Sequence, residues 1–111
     1  YFGERRITAI FQPHLFTRTR DHASGFAEIL DRLDETILLP VYPAREKPIP
    51  GVSSSMILER MKSDRKRLMR MDDIPEKLDI ENMDVLLTIG AGDIDRLTGP
   101  IEEKIKRWKA C

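Results

Sequence analysis

Asp84-Val85-Leu86-Leu87-Thr88-Ile89 runs without a break into Gly90-Ala91-Gly92-Asp93. The first six residues are almost continuously apolar and of strand length, so they read as a strand covered on both faces. The glycines end it in a turn where backbone can come close to a neighbour or a ligand. Two earlier stretches share this character. Arg6–Phe11 (Arg-Ile-Thr-Ala-Ile-Phe) is closed by Gln12-Pro13, and Glu35–Val41 (Glu-Thr-Ile-Leu-Leu-Pro-Val) is the second. Lys66–Met69 is a shorter strand candidate.

Helical patterns fill the gaps. Ala23, Phe26, Ala27, Ile29, Leu30 and Leu33 fall on one stripe, after a polar loop from Pro13 to Arg20. Thr17, Thr19 and Asp21 are its candidate N-caps, and Gly25 inside it would allow close packing. Ser53-Ser54-Ser55 offers caps for a helix carrying Ile57, Leu58 and Met61 inward. Asp72 or Asp73 would cap a short helix near Pro75–Leu78. A last helix opens at Gly99-Pro100 and buries Ile101, Ile105 and Trp108. Strands alternating with helices predict an α/β domain with a mostly parallel sheet, right-handed crossovers and helices on both faces.

The chain has 111 residues, which suits a single domain over 1–111. Nineteen basic residues balance nineteen acidic ones. That balance argues against a nucleic-acid module and gives a membrane surface no charge to attract. A single cysteine, Cys111, permits no internal disulfide, and no apolar run reaches membrane-spanning length. A cytoplasmic domain is the expectation. Two histidines and one cysteine make no metal signature, so no metal site is expected. No phosphate-binding Gly-x-x-x-x-Gly-Lys-[Ser/Thr] stretch occurs.

In parallel sheets ligands bind beyond the carboxyl ends of the strands. Three loops leave the predicted strands there: Pro13–Arg20, Tyr42–Val52 and Gly90–Asp93. The first brings His14, Arg18 and Arg20 to a helix start, where free N–H groups and the helix dipole favour anions. On chemistry alone it reads first as a capped helix start with solvated arginines and an incidental histidine, and second as a carboxylate or phosphate site. The second is stiffened by Pro43, Pro48 and Pro50, and its Arg45 and Glu46 would touch a ligand or neutralise each other. The third is a tight turn or a place of close ligand approach. His22 reads as a surface residue, Arg65-Lys66-Arg67 as a solvated strand edge, and the five methionines as core filler.

Phe11-Gln12-Pro13-His14, Thr17-Arg18-Thr19-Arg20-Asp21, Val41-Tyr42-Pro43-Ala44-Arg45-Glu46 with Pro48-Ile49 and Gly51, and the closing Gly-Ala-Gly-Asp stand in a familiar order. From about Arg5 to Leu97 the chain resembles the C-terminal domain of the UDP-N-acetylmuramate–L-alanine ligases, in the Mur ligase family. The resemblance implies a Rossmann-like, three-layer, amino-acid-binding domain of a three-domain cytoplasmic enzyme. The N-terminal domain would bind the UDP-sugar, and the central domain would hold ATP and Mg2+. This domain alone would bind neither cofactor and be inactive. His14 and Arg18 would sit beside L-alanine, with Arg18 on its carboxylate and His14 orienting the amine or the intermediate as the catalytic residue. Tyr42, Arg45, Gly90, Ala91 and Gly92 would complete the substrate site.

The chain departs from the family pattern at Leu15, often arginine there, and at Phe16, commonly tyrosine. Arg20 or Arg45 would have to replace the lost cation. The family's Tyr-Gly-His-His hinge stretch is absent and no initiator Met is present, which suggests a domain cut from a longer protein. The alternatives are a related ligase that adds a preformed peptide to the same sugar nucleotide and a non-catalytic Rossmann-like binding module.

Overall fold

A computed structural model describes residues 6–43, 45–78, 85–90 and 93–110. β1 (Ile7–Phe11), β2 (Glu35–Leu38), β3 (Lys66–Leu68) and β4 (Val85–Ile89) form one sheet in the order β3-β2-β1-β4. Every pairing is parallel: Ile10 lies beside Ile37 and Thr88, and Phe11 beside Leu38 and Ile89. α1 (Phe16–Leu30) follows β1, α2 (Ser54–Arg60) precedes β3, and the short α3 (Ile74–Lys77) follows it. A 3-10 turn at Asp93–Leu97 leads into α4 (Thr98–Ala110).

Strand side chains alternate between the two faces, and the core splits accordingly. Phe11 and Leu38 pack with Ala23, Ala27, Leu30, Ile57 and Met61 on the α1–α2 side. Ile10, Ile37 and Leu39 pack with Ile74, Leu78, Ile94, Leu97 and Ile101 on the α3–α4 side. Helices therefore cover both faces, as the sequence pattern predicts. Phe11 and Phe26 meet edge-tilted, with ring centroids 5.1 Å apart. Each fully buried aliphatic side chain contributes about 1.5–3 kcal/mol relative to exposure.

Several sequence expectations are corrected. The polar loop Pro13–Arg20 is mostly helix, because α1 begins at Phe16 and takes Thr17, Thr19 and Asp21 into its first turns. Leu15 holds the N-cap position without a side-chain cap. Thr19 faces inward and its hydroxyl donates to the Leu15 carbonyl at 2.8 Å. Ile29 falls outside the face that buries Thr19, Ala23, Ala27 and Leu30 and is 60% exposed. Gly25 has open space where a Cβ would stand, so no close packing depends on it. β2 stops at Leu38 rather than Val41, ahead of Pro40, and Leu39 still donates its N–H to the Phe11 carbonyl at 3.0 Å. α4 opens one residue earlier than expected, at Thr98.

Other expectations hold. Ser53 caps α2, its hydroxyl accepting from Ser55 N, and Ile57 and Met61 are buried. The Ser54 hydroxyl bonds the Leu39 carbonyl, fixing the start of α2 against the end of β2. Asp73 is the residue before α3, although its side chain makes no cap bond. Ile101 is buried and Ile105 packs against the core, while the Trp108 side chain lies outside the described residues. β3 is an edge strand, with Arg67 3.9 Å from Glu35.

Candidate functional site

The chain segments that leave β1, β2 and β4 converge at the carboxyl end of the sheet. Gln12 N donates to the Ile89 carbonyl at 2.9 Å, so the β1 exit lies against the β4 exit. Gly90 sits at that contact. A Cβ there would stand 3.1 Å from the Gln12 carbonyl oxygen and 3.2 Å from Ile94 Cγ2, so a larger residue would push these apart. The Gln12 side chain accepts from Ile94 N at 3.0 Å and fastens the turn that follows.

The β1 and β2 exits are joined as tightly. His14 and Tyr42 form an isolated parallel bridge; Tyr42 N donates to Pro13 O and Leu15 N to Tyr42 O, both at 2.8 Å. The His14 imidazole stacks on the Tyr42 ring, 5.8 Å between centroids and 15° from parallel. His14 Nδ1 is buried and has no hydrogen-bond partner among the described residues. Buried polar atoms nearly always have partners, so this nitrogen, at the end of the sheet where parallel folds bind ligands, is a candidate contact for a ligand or water. A cavity of about 350 Å³ borders Tyr42 and is lined also by Gln12, Leu39, Arg70 and Asp72, with His14 not among its lining residues.

Leu15 carries unusual geometry, with φ 69° and ψ 138°. A side chain at positive φ costs about 1–3 kcal/mol. The strain is held by the bond to Tyr42 and by two bonds into the Leu15 carbonyl, from Thr19 N at 3.1 Å and from the Thr19 hydroxyl. Because Leu15 lacks a side-chain oxygen, the cap of α1 comes from elsewhere. The Glu46 carboxylate accepts from Thr17 N at 3.1 Å and from the Thr17 hydroxyl at 2.6 Å. These bonds, led by the hydroxyl and joined by Phe16 N and the charge of Arg20, hold the Glu46 carboxyl below its ordinary range despite partial desolvation. Glu46 therefore does not neutralise Arg45, as one reading of the sequence had it.

The remaining site residues fall as follows. Arg18 is exposed in the first turn of α1 and lines a groove with His22, Gly25, Phe26 and Ile29 on the outer side of that helix. It follows Leu15 by three residues and so starts from the same end of the sheet as His14. Arg45 is exposed. Arg20 is engaged by Asp21 at 2.9 Å, which raises its guanidinium pKa and lowers that of the Asp21 carboxyl. Of the two arginines that could replace a cation at Leu15, Arg45 is the one without a described ion pair. Ala44, Ala91 and Gly92 lie outside the described residues. Sequence reasoning missed Gln12 and Thr17 as organisers of the site and misread Glu46. Their partners are 82 and 29 positions away, beyond any local signal.

Among the described residues no group of three His, Cys, Asp or Glu could hold a metal ion, and no helix is long and apolar enough to cross a membrane. An all-parallel, helix-covered sheet with its polar loops gathered at the carboxyl end is a Rossmann-like α/β domain. No protein-family model matches the chain. It is 48% identical over 102 residues, 92% of its length, to a UDP-N-acetylmuramate–L-alanine ligase of Parabacteroides distasonis. It is 46% identical over 95 residues, 85% of its length, to the ligase of that name from Phocaeicola vulgatus. The corresponding protein of Porphyromonas gingivalis is 43% identical over 106 residues, 95% of the chain. The chain spans 22%, 21% and 23% of these three relatives. By this similarity the chain is related to the UDP-N-acetylmuramate–L-alanine ligases, about a fifth of whose length it spans.

Proposed function

We propose that this chain is the C-terminal, amino-acid-binding domain of an ATP-dependent ligase that joins L-alanine to UDP-N-acetylmuramate in the cytoplasm, a step of peptidoglycan precursor synthesis. The carrying observation is the identity of 48% across 92% of the chain to a ligase of that name. The orphaned His14 Nδ1 beside Tyr42 supports a ligand seat at the same end of the sheet.

In this reading ATP phosphorylates the lactyl carboxylate of the sugar nucleotide. The alanine amine attacks the acyl phosphate, and the tetrahedral intermediate collapses to the amide and inorganic phosphate, with ADP formed in the first step. ATP, Mg2+ and the UDP-sugar belong to the other domains of such a ligase.

The chain's own part is to hold a small zwitterion. Arg18 pairs with its carboxylate, while His14 Nδ1 accepts from the incoming amine or orients the intermediate. Tyr42 fixes the imidazole plane, Gly90 permits the close approach of the β4 exit, and Arg45 closes the rim. Binding by differential contact matters most where the charge is shielded from water.

The test is turnover by the full-length ligase with L-alanine against a preformed tripeptide. Turnover with the tripeptide alone would refute the alanine assignment in favour of a peptide-adding ligase. A charge-assisted contact of about 1.5–3 kcal/mol means that Arg18→Ala raises the apparent KM for alanine roughly tenfold to a hundredfold. The KM for ATP should stay close to its original value, and equal effects on both would remove Arg18 from its role.

A further inference from the structure

We infer that Glu46 is a positioning residue for the amino-acid side of the site: it occupies the start of α1 with its own carboxylate and so leaves the substrate carboxylate to Arg18. The inference rests on the reading of the chain as an alanine-binding domain.

The start of a helix is a seat for an anion. In this protein the seat is taken by Glu46, through Thr17 N at 3.1 Å and the Thr17 hydroxyl at 2.6 Å. A second carboxylate at the same amides would meet a like charge within the same turn. Leu15, the N-cap residue, has no oxygen to do the work, so the capping group is borrowed from the loop after β2.

The position of this clip explains what it controls. Thr17 precedes Arg18 and Glu46 follows Arg45, so each guanidinium-bearing residue is one step from the bond. The clip joins the same two chain segments as the His14–Tyr42 bridge, at a second point. The bridge holds the two exits together up to Leu15, and the clip carries that attachment on into the first turn of α1, where Arg18 stands. Losing the clip frees the first turn of α1, and with it Arg18, while His14 stays held by Tyr42.

The experiment uses the full-length ligase carrying Glu46→Ala, Glu46→Gln and Glu46→Asp. Glu46→Ala should raise the apparent KM for L-alanine by about tenfold or more, with the KM for ATP changed less than about twofold. Glu46→Gln keeps an acceptor oxygen for Thr17 and should sit between wild type and Glu46→Ala; Glu46→Asp should recover part of the loss. A merely structural role would lower the active fraction and the melting temperature with both KM values unchanged, and that outcome overturns the inference. A lower KM for alanine in Glu46→Ala also overturns it, because Glu46 would then be a competitor that the substrate displaces. Should Glu46→Ala fail to fold, Glu46→Gln and Thr17→Val decide by the same split: both are expected to show an alanine-selective rise, and its absence in both overturns the inference. Wild-type enzyme that makes no amide with L-alanine refutes the functional reading itself, whatever the Glu46 variants do.

Discussion

Ile94 donates its backbone N–H to the side-chain oxygen of Gln12 across 82 positions of sequence, at 3.0 Å and out of solvent. This bond closes the carboxyl end of the sheet. Gln12 is the first residue past β1, and Ile94 belongs to the turn after β4 and to the core on the α4 side. The same glutamine uses its backbone N–H on Ile89, so one residue ties both the end of β4 and the turn that follows.

Gln12→Leu keeps the bulk of the side chain and deletes the acceptor, leaving the Ile94 N–H buried and unpaired. The expected loss of stability is about 1–3 kcal/mol, measured by chemical denaturation. A loss below about 0.5 kcal/mol would mean that the turn re-pairs with water and that Gln12 does not organise this edge.

The sheet was readable because its strands announce themselves. Val85–Ile89 and Ile7–Phe11 are β-branched and apolar, and each ends in a glycine or proline signal. Both helix-covered faces followed from the near-continuous apolar runs. The start of α1 was not readable, since Thr17, Thr19 and Asp21 are all good caps by type and the structure uses none of them. The cap comes from Glu46, so the boundary is decided by a tertiary contact that outweighs local preference. Ile29 was misplaced for a different reason: it lies about 100° round the helix from Leu30 and so falls outside the face that buries Ala23, Ala27 and Leu30. At the site, His14 and Tyr42 were named from resemblance and are brought together by backbone pairing. Arg18 opens onto the outer groove of α1, a direction that spacing alone does not give.

Asp31, the C-cap of α1, supplies a pH-dependent anchor. Its carboxylate accepts from Lys62 N and Ser63 N, both at 3.0 Å, and so holds the segment after α2 against the end of α1. The bond from Lys62 is the main cause of a pKa below the ordinary carboxylate value; Ser63 N and the charges of Lys66 and Lys62 add to it, and desolvation opposes it. A depressed folded-state pKa contributes stability that is complete above the unfolded value of about 4 and is lost as pH falls through the folded value. Asp21 and Glu46 shift in the same direction. Melting temperatures taken from pH 7 down to pH 3 should therefore fall on the acid side. Asp31→Asn should melt lower at pH 7 and lose less on acidification. A variant whose acid limb is as steep as wild type would show that Asp31 is not linked to folding.

His14 sets stability against activity. Its Nδ1 is buried with no described partner, and a polar atom left in that state costs about 1–3 kcal/mol. The ring earns its position through the Tyr42 stack, which a phenyl ring would reproduce. His14→Phe removes the orphan nitrogen and keeps the stacking surface, so its melting temperature should equal or exceed that of wild type. Amide formation by the full-length enzyme should fall at least about a hundredfold, the lower end of what a group acting as general acid or base contributes. A variant that is destabilised and retains normal turnover would reverse both halves of the argument. It would mean that Nδ1 is satisfied within the fold and that the imidazole serves packing alone. A variant both stable and inactive would show a site kept under-bonded in the resting domain so that its substrate completes it.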